Sequence, residues 1–159
     1  MTVLQGPLKD RDAWSAVGEC LIEKTLALIG TKSAMLIMRE AYYGTTRFDD
    51  FARRVGITKA AASARLSELV DLGLLTKRPY REPGQRTRDE YVLTESGQDL
   101  MPVVFALFQW GLRHIPNRNP LRLTHLGCGA DATVEICCDK GHVVPHDEVG
   151  MRLAKANPR

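Results

Sequence analysis

The sequence predicts a mostly α fold with a small β-hairpin, an α+β domain, followed by a small β-prone C-terminal module. Three observations carry this expectation. Apolar residues recur at three- and four-residue steps through most of residues 14–113, two short β-prone runs flank a Pro-Gly turn, and helical periodicity stops after Pro116 and Pro120. A chain of 159 residues that is 44% hydrophobic and 26% charged suits one domain with an appendage, and excludes a disordered tail or a fibrous repeat. Residues 1–13 read as a flexible N-terminal arm, 14–113 as the main domain and 114–159 as a C-terminal extension.

Residues 14–29 place Val17, Cys20, Leu21, Thr25 and Leu28 on one helical face, closed by Gly30. Residues 32–43 follow as a second helix, with Ala34, Met35, Ile37 and Met38 facing the core and Gly44 as the stop. Asp49 or Asp50 is expected to cap a short helix carrying Phe48, Phe51, Ala52 and Val55, and Gly56 permits a sharp turn. Thr58 is a good N-cap for residues 59–72, where Ala62, Leu66, Leu69 and Val70 line one face and Gly73 takes the C′ position. Two helices joined through a short Gly-containing turn make a helix-turn-helix, although a plain αα-hairpin has the same pattern.

Residues 74–80 and 89–93 alternate apolar and polar positions around Arg81-Glu82-Pro83-Gly84-Gln85-Arg86-Thr87-Arg88, which reads as a hairpin wing with a basic tip. Thr94 is expected to cap a long helix over 95–113, with Leu100, Val104, Leu107, Phe108 and Gly111 on one stripe and Pro102 bending its start. The elements together spell a winged helix-turn-helix.

The formal net charge is only +3, but residues 52–88 hold nine basic side chains against three acidic ones, a local balance of +6. Such segregation over a helix-turn-helix and hairpin is the footprint expected of a double-stranded DNA partner, a solvated basic face being the plainer alternative. On residues 59–72 the face opposite Leu66 and Leu69 presents Ala60, Ala64 and Ser67, flanked by Lys59, Ser63 and Arg65. Small residues let a helix sit deep in a major groove; simple helix propensity accounts equally for any one alanine. The expected DNA-contacting residues are Arg47, Thr58, Lys59, Ala60, Ser63, Ala64 and Arg65, with Arg81, Arg86 and Arg88 at the wing.

From Cys20 to Gly111 the chain resembles the HxlR-type winged helix-turn-helix transcriptional regulators, relatives of the MarR group. The resemblance rests on Leu36-Ile37-Met38-Arg39-Glu40, Arg47-Phe48-Asp49-Asp50-Phe51, Gly56-Ile57, Arg65-Leu66-Ser67-Glu68-Leu69, Gly73-Leu74-Leu75, Tyr91-Val92-Leu93-Thr94-Glu95-Ser96-Gly97 and Trp110-Gly111. Thr31-Lys32-Ser33 stands where the family has Gly-Lys-Trp. The resemblance implies a homodimer held by the first and last helices on a pseudo-palindromic operator; independently, Val104, Leu107, Phe108 and Trp110 give the last helix more apolar surface than one side of a small domain covers, and Trp14 and Val17 from the partner are expected to cover it. Packing of the last helix against the C-terminal extension is the alternative use of that apolar surface. Cys20 matches the position of a redox sensor in some members; a small core residue is the other reading of such a cysteine.

Three of the four cysteines and all four histidines fall between His114 and His146. His125-x2-Cys128 resembles one zinc knuckle, and Cys137, Cys138 and His142 are candidates for the second, with Lys140 where similar tails carry the last cysteine. A structural zinc, a ribbon that folds without metal and a redox pair all remain open for this tail.

No apolar run reaches the ~18 residues of a membrane span, and Lys9, Asp10, Arg11 and Asp12 interrupt the stretch that a signal peptide keeps apolar, so a cytoplasmic protein without a membrane partner is expected. The sequence therefore favours a DNA-binding regulator with a redox or small-molecule input and no catalytic residues. Against it stand a zinc or thiol enzyme built on the tail, with Glu135 between Cys128 and Cys137 as its candidate acid, and an interaction adaptor that kept the winged fold without DNA.

Overall fold

The computed structural model describes residues 1–116 and 118–154. In chain order it runs β1 (Val3–Leu4), two single-turn 3-10 helices (Gly6–Lys9 and Arg11–Ala13), α1 (Leu21–Ile29), α2 (Lys32–Tyr42), α3 (Phe48–Val55), α4 (Lys59–Asp71), β2 (Leu75–Tyr80), β3 (Arg88–Leu93), α5 (Glu95–Asp99), α6 (Met101–His114) and β4 (Gly150–Met151). The backbone divides into two units: Leu21–Pro120, and Met1–Cys20 together with the chain from Leu121 onward.

In the first unit the core forms around α2. Ala34, Ile37, Met38 and Ala41 recur at helical spacing and are buried against Phe51 of α3, Leu66 and Leu69 of α4, Leu74, Leu75 of β2 and Val104 of α6. Thr31 caps α2 by accepting from the Ala34 amide at 3.2 Å, and Thr58 caps α4 by accepting from Ala61 at 3.1 Å. Gly56 and Gly73 end α3 and α4 with φ of 73° and 70°, a conformation that side chains resist. Arg47 takes the N-cap position of α3 without a side-chain hydrogen bond, so Asp49 and Asp50 lie in the first turn rather than capping it. There they still face the helix's positive end.

The hairpin is antiparallel, with Leu75 opposite Leu93, Arg78 opposite Glu90 and Tyr80 opposite Arg88. Two attachments fix it. Tyr91 donates its amide to Thr46 O at 2.8 Å. The buried Glu90 carboxylate accepts from Arg78 at 2.7 Å and pairs with Arg47 at 3.3 Å, while the Arg47 guanidinium lies 3.1 Å from the centre of the Tyr80 ring. Hydrogen bonding from Arg78 first, aided by Thr46 and the charge of Arg47, holds the Glu90 carboxyl below its ordinary value.

The expected helix 95–113 is two helices, broken at Leu100 with Pro102 in the first turn of α6, because proline cannot donate to the preceding turn. Thr94 caps α5 through Gly97 at 3.0 Å and also donates to Leu74 O at 3.2 Å. Gly97 passes so near β2 that a Cβ there would stand 2.1 Å from Leu74 O, and its own carbonyl accepts from Tyr42 Oη at 2.7 Å. Burial pushes the Tyr42 phenol to about 12, which keeps it a neutral donor.

The first helix begins at Leu21, not at residue 14. Gly18 at φ 76° breaks the periodic run, and the Cys20 amide closes a turn on Ala16 O at 2.9 Å, so Trp14, Val17 and Cys20 all precede the helix. They belong to the second unit, and residues 1–13 are structured within it rather than a free arm. There β1 pairs in parallel with β4, Val3 against Gly150 and Leu4 against Met151. Leu8 is buried and its carbonyl accepts from Trp14 Nε1 at 3.1 Å, with the Arg11 guanidinium 4.0 Å from the centre of that ring. Two tight loops follow, closed by bridges between Thr124 and Asp131 and between Cys137 and Val143.

Replacing Gly97 with alanine should lower stability by about 1–3 kcal/mol in urea unfolding, because the clashing atom is backbone. The Glu90 clamp gives a signed pH dependence. A carboxylate held below its ordinary value of 4.5 stabilises the fold above that value, and the contribution disappears as pH falls through the lowered one. Wild type should therefore exceed Glu90→Gln in stability at neutral pH, with the gap closing on acidification below 4.5; a gap unchanged by pH would contradict the clamp.

Candidate nucleic-acid interface

The outer face of α4 is a smooth surface. Ala60, Ala61, Ser63, Ala64 and Ser67 are all exposed, while Ala62, Leu66 and Leu69 point into the core. Thr58, also exposed, uses its hydroxyl on the Ala61 amide, leaving the other first-turn amides at the positive helix end. Arg81, Arg86 and Arg88 are exposed on or beside the hairpin turn, where Arg81 Nε donates to Gln85 O at 3.0 Å and orders the turn.

Several basic residues of this region, Lys59 and Arg65 of the expected DNA contacts among them, are already paired within the chain. Lys59 Nζ lies 2.7 Å from Asp49, Arg65 pairs with Glu68 one turn on, and Arg53 pairs with Asp50. Lys59 hydrogen-bonds and attracts the Asp49 carboxylate, and with a further contribution from Arg88 holds that carboxyl below its ordinary range. Arg47 differs from the others: its guanidinium is committed to Glu90 and Tyr80, which makes it a strut of the wing. Across 47–90 there are ten basic and seven acidic side chains, a balance of +3, half the figure that residues 52–88 suggest. The missing acids are Asp49, Asp50, Asp89 and Glu90. Glu90 and Asp49 escaped the sequence reading because each meets its cation across elements; hairpin register alone, by setting Arg78 opposite Glu90, would have exposed the first.

The residues expected at a dimer interface separate. Val104 is buried in the core at 8% exposure, and Phe108 is half-buried, whereas Leu107 and Trp110 stand 57% and 56% exposed on α6. Trp14 is satisfied within the terminal unit by Leu8 and Arg11, and Val17 is exposed on a turn of that unit. The first helix, expected to be amphipathic with Leu21 and Leu28 on its apolar face, is apolar on the outside as well: Leu21, Ile22, Leu26 and Leu28 are exposed and only Ile29 enters the core. Between α1, the end of α4 and α5 lies a cavity of about 340 Å³, lined by Thr25, Leu28, Leu72, Ser96, Asp99 and Leu100 among others.

Among the tail candidates, only His125 and Cys128 meet, with Nδ1 3.1 Å from Sγ. Cys137, Cys138 and His142 do not join them, and among the described residues no three His, Cys, Asp or Glu side chains are grouped to hold a metal ion. The donor set therefore does not fit a four-ligand zinc. All four cysteines are free; backbone N–H groups of Lys140 and His142 hold the Cys138 thiol below its usual range. Among the described residues no helix is long and apolar enough to cross a membrane.

Residues 28–119 match the HxlR-like helix-turn-helix family. A Mycobacterium tuberculosis protein named an uncharacterized HTH-type transcriptional regulator is 39% identical over 119 residues, 74% of each chain. A crystal structure of PA1607, described as a candidate transcription factor, aligns at a TM-score of 0.72 and 29% identity over 88% of this chain and 97% of its own. The redox regulator HypR in its oxidized form aligns at 0.54 and 32% identity over 63% of this chain and 99% of its own. The relatives are regulators rather than enzymes, and with the cap, smooth helix and wing in place the chain belongs to the HxlR-like helix-turn-helix family, as a transcriptional regulator of winged-helix type.

Proposed function

We propose that this regulator binds double-stranded DNA as a homodimer on a pseudo-palindromic operator, with α4 in the major groove and the Arg86 and Arg88 wing at the minor groove. The observation that carries the reading is the outer face of α4, which is exposed, small and capped at its N-terminus beside a basic wing tip. Ala60 and Ala64 suit contacts to thymine methyls, Ser63 suits a base edge, and Lys59 and Arg65 exchange their carboxylate partners for phosphates. For Lys59 such exchange costs little, since exposed ion pairs contribute only about 0–1 kcal/mol.

Dimerisation is supported by the apolar residues left exposed on α1 and α6, Leu21, Ile22, Leu26, Leu107 and Trp110 among them. Pairing these helices between copies would place two reading heads on successive half-sites, about one DNA turn apart. The cavity beside α1 is of small-ligand size and is the place for an effector. Cys20, the sole cysteine outside the C-terminal segment, stands directly before α1, and the likeness to HypR supports a redox input there. A chromosomal partner puts the protein in the cytoplasm.

Titrating the purified protein against duplex DNA from around its own gene tests the first claim. Affinity should fall steeply with salt, and Arg86→Ala with Arg88→Ala should lower the salt slope by about two per protomer. Salt-insensitive or absent binding would overturn the proposal and leave the adaptor reading. For the dimer, Leu107→Asp with Trp110→Asp should weaken self-association by about 2 kcal/mol or more in sedimentation, and weaken operator binding with it; an unchanged dimer would move the interface elsewhere.

A further inference from the structure

Resting on the effector reading of the cavity beside α1, we propose that this cavity takes lipophilic primary amines, with Asp99 recognising the ammonium group. Its volume of about 340 Å³ suits an aromatic or branched apolar body of small-molecule size.

Sequence spacing builds the walls. Thr25 and Ile29 stand four residues apart on α1, and Ser96, Asp99 and Leu100 recur at three- and four-residue steps along α5 and its C-cap, so each set shares one helical face. Leu72 and Leu74 flank Gly73, whose φ of 70° turns the chain at the end of α4. Ile29 and Leu74 are buried core residues, and Leu72 and Leu100 pack against that core, which makes the base of the cavity apolar. Two contacts pin α5 over it. Gly97 passes close to Leu74 O, and the Gly97 carbonyl accepts from Tyr42 Oη at 2.7 Å. Ser96 and Asp99, on either side of this attachment, are therefore held in place before any ligand arrives.

The polar side chains of the lining can all accept a hydrogen bond. Thr25 and Ser96 offer hydroxyls and Asp99 a carboxylate, and no Lys, Arg or His lines the cavity. Among the described residues none of these three side chains has a hydrogen bond or ion pair of its own. An anionic ligand would meet Asp99 as a like charge, and a neutral one would leave that charge unmatched. A primary ammonium carries three N–H donors and the opposite sign, which suits one carboxylate and two hydroxyls. Because Thr25, Ser96 and Asp99 are exposed at the rim, the ammonium stays near water while the apolar body enters, and no charge has to be buried.

Equilibrium dialysis of the full chain against 1-naphthylmethylamine, 1-naphthylmethanol and 1-naphthylacetate at neutral pH, without DNA, tests the site. The probes share one apolar body and differ in charge. The amine should bind about fivefold more tightly than the alcohol and the carboxylate more weakly than either, and Asp99→Asn should bring the amine to the level of the alcohol without changing the alcohol. Thr25→Trp, at an exposed position, should weaken all three by filling the space. Absent binding, equal binding of the three, or an amine preference that survives in a folded Asp99→Asn overturns the proposal. The ranking in wild type alone decides where a variant fails to fold. A duplex titration with and without the amine separates the two readings: a bound amine that leaves DNA affinity unchanged overturns the effector role and not the amine site.

Discussion

Burial of α2 is the constraint on which the Leu21–Pro120 unit depends. Ile37 and Met38 are completely enclosed, each worth about 1.5–3 kcal/mol of transfer free energy, and α3, α4, α6 and β3 all meet this one helix. Its single buried charge, Glu40, is satisfied at both oxygens, by Arg39 at 2.7 Å and by the Thr45 hydroxyl at 3.4 Å. With the inside fixed this way, the outer face of α4 is free of structural duty and can remain small. The same economy leaves α1 with one anchoring residue, Ile29, and an otherwise apolar exterior.

Electrostatics in the reading head is a competition rather than a simple excess. Lys59 and Arg65 of α4 each have a carboxylate within reach, and Glu90 engages two further arginines, Arg47 and Arg78. Arg86 and Arg88 beside the hairpin turn stay exposed and available to a polyanion. The wing is thus stiffened by charge pairs along its strands and carries exposed arginines beside its turn, a division of labour set by hairpin register rather than by composition.

The winged core was legible in the sequence because its signals are local. Thr58 and Thr94 are caps, Gly56 and Gly73 are stops, Pro83-Gly84 is a turn and Pro102 breaks a helix, and each does the same in the structure. The misreadings come from one local glycine conformation and from contacts between distant residues. Val17 and Cys20 fit the period of α1, yet Gly18 ends that run, and the periodicity had no means of weighing a left-handed glycine against four apolar matches. Pairing of β1 with β4 involves two residues on each side, too few to leave an alternation, so the N-terminal segment looked free. Val104 was assigned outward on apolar character alone, although the stripe containing it has an inner edge at Val104 and an outer edge at Leu107. Spacing brought out the likeness of the tail to paired knuckles, but not that only one His–Cys pair would meet.

Closure of the terminal unit through β1 and β4 has a consequence for synthesis. Every residue of the Leu21–Pro120 unit has been made before the ribosome reaches Gly150, while Val3 and Leu4, made earlier still, wait for β4. The winged domain can therefore fold during translation, and the segment ahead of it stays unclasped until the strand that pairs with it emerges. A nascent chain stalled before Gly150 would carry a finished reading head and an open terminal unit, so the two halves of this protein differ in age as well as in structure.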